Sequence, residues 1–158
     1  MSRLTRRAAG LLAVLAPAAL LASGCGALSG IKDGVDAGVN TVEVCNSVID
    51  LYNGHLKKVE EASNKLTSAK PSDTATAVTA YNKTVADEFT ALHKGLGEQV
   101  TKIKDDKVKA ALTELDTHVG TIAAKPESFA ADGAANAKKL DEIAAKLNTA
   151  CGAKDQKK

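Results

Sequence analysis

The chain has 158 residues, a formal charge of +2, no Trp, and only two Tyr and two Phe. Three of its 21 basic residues, Arg3, Arg6 and Arg7, lie at the start; past residue 24 the chain carries 18 basic and 19 acidic residues. A nearly neutral body argues against a nucleic-acid partner, which needs a basic surface, and so few aromatic rings argue against sites that stack bases or sugars.

Residues 1–24 read as a secretory signal peptide. The arginines form a basic start, Leu11 to Leu21 an apolar middle, and Ala22-Ser23-Gly24 a small-residue cleavage site directly before Cys25. The apolar run is shorter than the roughly 20 residues of a permanent membrane helix. Thr5-Arg6-Arg7 leaves both general and twin-arginine export open.

The sequence Ala22-Ser23-Gly24-Cys25 resembles the lipobox of bacterial lipoprotein precursors, with Ala22 where leucine is commoner. The resemblance implies cleavage before Cys25 and a diacylglyceryl thioether on its sulfur. It thus implies an extracytoplasmic protein, lipid-anchored to the outer face of the bacterial cell membrane. One acyl chain binds only marginally, so the two or three chains of that family are what would hold it there. The 134 remaining residues suit one domain.

Residues 25–34 are small, polar and glycine-rich and read as a tether. The domain proper is expected over residues 35–151. Its first helix is expected from about Val35 to Leu66, with rows Val42, Ile49, Leu56 and Cys45, Tyr52, Val59, Leu66 repeating every seven residues. Pro71 stops it, and Ser72 or Asp73 is the expected cap of the next helix. That second helix should run from about Thr74 to Ile103, with Val78, Val85, Leu92, Phe89, Leu96 and Ile103 inward. Gly95 and Gly97 inside it mark a kink or a close crossing.

Asp105-Asp106 reads as a turn and N-cap, followed by a third helix on Val108, Leu112, Leu115, Val119 and Ile122. Pro126 opens the fourth, with Phe129, Leu140, Ile143, Leu147 and Cys151 inward. Gly133 and Asn136 weaken its first turns, so its start falls either near Glu127 or near Asp132. Residues 152–158 read as a polar, disordered tail.

Four apolar stripes joined by short connections predict an all-α, antiparallel up-down four-helix bundle. At 1.5 Å per residue, the first helix from Cys45 to Leu66 is about 32 Å long and the fourth from Glu127 to Cys151 about 36 Å. The start of one and the end of the other then share an end of the bundle. Cys45 and Cys151 become neighbours, and in an oxidising compartment they are expected to form a disulfide.

Candidate chemistry is sparse. His55, His93 and His118 fall one per helix beside apolar stripes, with His93 and His118 at similar heights. Glu114 stands one turn before His118, a chelating spacing. These three, His93, His118 and Glu114, are the nearest approach to a metal site, and the reading assigns no metal, no cofactor and no catalytic residues. Ser29-x-x-Lys32 lacks the companion motifs of penicillin-interacting enzymes, and Gly95-Leu96-Gly97 lacks the strand and third glycine of a dinucleotide loop.

Two functions remain. One is a non-catalytic helical interaction or structural module of the cell envelope. It would touch the membrane through lipid on Cys25 and an unknown envelope protein or wall component through its helices. The alternative is an extracytoplasmic binding protein for a metal ion or a small apolar ligand. The body also resembles small secreted proteins of actinobacteria that are alanine-rich and helical with a cysteine near each end; that likeness carries no functional residues.

Overall fold

The computed structural model describes residues 39–152. The leader, Cys25, the tether and residues 153–158 lie outside the described residues, as do the first positions expected of helix 1. Helix α1 spans Val39–Thr67, α2 Thr74–Lys102, α3 Asp106–Ala124, α4 Pro126–Ala131 and α5 Gly133–Ala150. They form an antiparallel up-down helical bundle in which α4 and α5 together make the fourth rod.

Each boundary has a local cause. Pro71 opens a single 3-10 turn, Pro71–Asp73, between α1 and α2. The expected cap at Ser72 or Asp73 is not formed. Ser72 donates to the Asp73 carboxylate and Thr74 Oγ1 to the Lys70 carbonyl, so neither acidic nor hydroxyl oxygen reaches the α2 amides. The α3 cap is formed as expected. Asp105 Oδ1 accepts from the amides of Lys107 and Val108 at 2.9 and 3.0 Å, satisfying two donors that the first helical turn leaves open.

The fourth rod breaks at Asp132, the later of the two starts the sequence allows. Pro126 supplies the pre-set φ of a first helical residue, and Gly133 opens α5. The Asn136 amide bonds to the Asp132 carbonyl at 2.9 Å, so the backbone ladder resumes at once and the break stays local. At the far end Gly152 takes φ +78°, and its amide bonds to the Thr149 carbonyl. A left-handed residue is the usual stop for a helix, and glycine adopts it without a Cβ clash.

The core is one continuous cluster. The expected positions Cys45, Ile49, Tyr52, Leu56, Val59, Leu66, Val85, Phe89, Leu92, Leu96 and Ile103 are all buried. So are all five α3 stripe residues and Phe129, Leu140, Ile143, Leu147 and Cys151. Val42 and Val78 are only half-buried. Val44 and Val48 are buried as well, beside Cys45, where the disulfide brings the end of α5 to α1.

Long seams join α1 to α2, α2 to α3 and α3 to α5. Helices α1 and α5 make no comparable seam; Cys45 and Cys151 hold them together at one end, with Cα atoms 6.3 Å apart in a disulfide. Phe129 on α4 meets Phe89 on α2 across the bundle, ring centroids 5.0 Å apart at a 52° tilt.

The two glycines of α2 differ. A Cβ at Gly95 would lie 3.2 Å from Leu51 Cδ2, so this glycine serves the close α1–α2 crossing. A Cβ at Gly97 would meet nothing within 4 Å. Gly97→Ala should therefore raise unfolding free energy by about 1 kcal/mol, the helix-propensity difference alone; urea denaturation measures it.

Candidate functional site

The polar chemistry of the bundle collects where helices meet, and each histidine marks a different seam. On α1–α2, His55 Nδ1 donates to Glu88 Oε2 at 2.7 Å, and Lys58 Nζ donates to the same oxygen at 3.1 Å. Partial burial raises the Glu88 pKa, but the hydrogen bonds from His55 and Lys58 more than offset this and hold it below the ordinary carboxylate value. The histidine is therefore the donor in this pair.

On α2–α3, His93 Nδ1 bonds to Asp116 Oδ1 at 2.7 Å. Its ring lies against the α3 backbone, because a Cβ at Gly120 would stand 3.1 Å from its Cε1. An imidazole oriented by a carboxylate is half of a nucleophilic triad. On α3, the hydroxyls of Thr113, Thr117 and Thr121 each donate to the carbonyl four residues back. Both free-thiol candidates of the domain are joined in the disulfide.

On α3–α5, Glu114 is clasped by two lysines. Lys139 Nζ lies 2.7 Å from Oε1, and Lys146 Nζ lies 2.7 Å from Oε2. Hydrogen bonds from Lys139 and then Lys146 bring the Glu114 pKa down to about 2, and the same contact raises that of Lys139. Next to them His118 is partly buried, and its Nε2 has no hydrogen-bond partner among the described residues. Desolvation lowers its pKa, and the neighbouring Lys139 charge adds to this against smaller opposing effects of the Asn136 backbone and Glu114.

The three metal candidates thus part company. Glu114 and His118 do share the α3–α5 seam, but the carboxylate oxygens are taken by ammonium groups. His93 turns to the other seam of α3. Among the described residues no group of three or more His, Cys, Asp or Glu side chains converges where a metal ion would sit.

The partners Glu88, Asp116, Lys139 and Lys146 escape a reading of the sequence. Each lies 23 to 33 residues from its histidine or glutamate, and no local spacing records that. Gly120, a glycine inside a strong helical stripe, was the available signal for the α2–α3 seam.

A surface groove of about 860 Å³ runs between the first half of α3 and the last turns of α5. Its floor is Ala110, Ala111, Ala145 and Ala150, with Lys107 and Lys146 at its edges. A second groove, of about 350 Å³, lies between α1 and α2 beside Tyr81. Burial pushes the Tyr81 phenol up to about 12, so it stays protonated as part of the core. The ion pairs bind helices to one another by charge.

Mild acid should destabilise the fold through His118. Its folded pKa lies below the ordinary 6.5, so the unfolded chain takes up the proton more readily. The neutral ring's contribution is complete above about pH 6.5 and declines as pH falls toward the lowered folded value. Glu114 keeps its charge down to about pH 2, so its bridges persist through that window. His118→Gln should flatten the dependence of the urea midpoint on pH below about 6.5; the wild-type slope from this group is at most one proton, about 1.4 kcal/mol per pH unit.

The molecule is a disulfide-linked, all-α bundle whose seams carry ion pairs. Comparison with protein-family models, curated proteins and solved structures finds no match. The functional reading stands on residues and geometry alone.

Proposed function

We propose that the protein is a membrane-anchored extracytoplasmic lipoprotein, a non-catalytic helical module that works by contact within the cell envelope. The observation that carries this reading is Ala22-Ser23-Gly24-Cys25 closing an apolar run that follows a basic start. The Cys45–Cys151 bridge supports it, because such bonds persist in oxidising compartments. Among the described residues no helix is long and apolar enough to cross a membrane.

The seams support a module rather than an enzyme. His55 and His93 each turn Nδ1, and Glu114 both carboxylate oxygens, to a neighbouring helix. What remains at the surface is helix faces rich in alanine, lysine and threonine.

The test is expression of the full chain in a bacterial host with labelled palmitate, followed by mass spectrometry of the amino-terminal peptide. The expected product begins at Cys25, carries the label, and loses both label and membrane retention in Cys25→Ser. An unlabelled protein with its amino terminus elsewhere would overturn the anchor. Crosslinking in intact cells then identifies the partner.

A further inference from the structure

The opening turns of α5 are thinly held. None of residues 131–139 is buried; they lie between Phe129 on α4 and Leu140, the first buried residue of α5. Asp132 gives α5 no side-chain cap, and no acid stands in its first turn to complement the dipole. The Asn136 side chain reaches back across the α4–α5 break to the Ser128 carbonyl at 3.5 Å, a long bond. Few apolar contacts and an open cap are the marks of a segment that opens locally. Farther along, α5 is fastened by the Glu114 clasp and, at its end, by the bridge through Cys151.

Across from these turns stands His118, whose ring bonds to the Asn136 backbone. That bond favours the charged ring, so the acceptor is the Asn136 carbonyl. Nε2 is sealed from solvent and has no partner among the described residues, so Nδ1 is the nitrogen that donates. In the neutral ring Nδ1 carries the hydrogen and Nε2 a bare lone pair. A second proton must therefore enter at Nε2, where it would meet no acceptor.

The surrounding charges disfavour that proton as well. Lys139 of α5 and Glu114 of α3 are the charged groups that act on the ring. Glu114 with its two lysines already sums to a formal +1, and a protonated His118 would make it +2. Helix α4 carries one charge, Glu127, which is exposed. Lys138 and Glu142 of α5 pair with each other, and His93 of α2 pairs with Asp116.

We propose that His118 is a proton-released latch: neutral, it fastens the first turn of α5 to α3, and protonated, it turns outward and lets the α4–α5 joint open while the disulfide end stays closed. The proton comes from water and adds to Nε2. The ring must then turn Nε2 toward solvent, which draws Nδ1 away from Asn136. Because the closed form excludes the proton, acid favours the open form, and the effect sets in as pH falls below about 6.5, the ordinary histidine value. The bundle thus has an acid-responsive end, opposite the bridge. The latch does not depend on the lipid-anchor reading.

Native-state hydrogen exchange tests it, on the oxidised chain from residue 25 onward carrying Cys25→Ser so that no lipid is attached. After division by the intrinsic exchange rate at each pH, the opening constant of amides 136–140 should rise below about pH 6.5, by up to about ten-fold per pH unit. Amides 85–96 of α2 should not follow, and His118→Gln should abolish the rise. Nitrogen NMR of the wild-type imidazole should show the Nδ1–H tautomer at neutral pH. No rise, a rise in step across all helices, a rise that survives His118→Gln, or an Nε2–H tautomer overturns the latch.

Discussion

Replacing Cys45 and Cys151 together by alanine is expected to lower the unfolding free energy by about 4 to 5 kcal/mol. The bridge joins residues 106 positions apart, and in the chain-entropy model a loop of about that length loses this much freedom in the unfolded chain. Structure adds a reason for a large effect. Helix α5 is seamed to α3 and makes no comparable seam with α1, so the bridge is the covalent tie between the first and last helices. Guanidinium denaturation of the double variant against the oxidised wild type measures the loss. Hydrogen exchange should show α5 and the first turns of α1 opening first, while the α2–α3 seam stays protected. A loss under about 1 kcal/mol would mean that side-chain packing between α1 and α5, rather than the covalent link, closes the bundle.

Phe129→Ala is the second large effect, expected at about 3 to 5 kcal/mol for a fully buried aromatic side chain. Phe129 is 1% exposed and sits on a six-residue helix, too short to hold itself in water. Its ring against Phe89 is what fixes α4 to α2, so its removal leaves both a cavity and an unpinned segment. Phe129→Leu keeps most of the volume and should cost less than half as much. A double-mutant cycle with Phe89→Leu should show a coupling of about 0.5 to 1.5 kcal/mol, the usual worth of an aromatic pair beyond its buried area. Thermal or urea unfolding of the four proteins settles both numbers.

Much of the fold was legible before any coordinates. Apolar rows at helical spacing marked most buried positions, because burial on one face of a helix needs a period near 3.6. Pro71, Asp105 and Pro126 marked the joints, because each residue type satisfies or forbids backbone bonds at a helix end. Pairing of Cys45 with Cys151 followed from helix lengths and antiparallel order. What escaped were features set by a second neighbour. Val44, Val48, Tyr81, Ala111 and Ala144 are buried outside those rows, and the Ser72/Asp73 cap gave way to a 3-10 turn.

The candidate sites were less legible for the same reason. His55 and His118 border the core, but His93 is exposed, and the acids that bond His55 and His93 lie on other helices. Whether Glu114 faces a metal or a lysine depends on the rotation of α5, which brings Lys139 and Lys146 to it. No spacing within α3 contains that information.

The amino-acid sequence by itself determined the helices, their order, the bridge, and the expectation of a lipid on Cys25. All of these depend on residues near one another in the chain or on simple lengths. Only tertiary structure decided that the first and fourth rods make no long seam, that His55 and His93 bond acids on neighbouring helices, and that two lysines of α5 clasp Glu114. Those outcomes depend on how helices rotate against one another, which is set by the packing of all of them together.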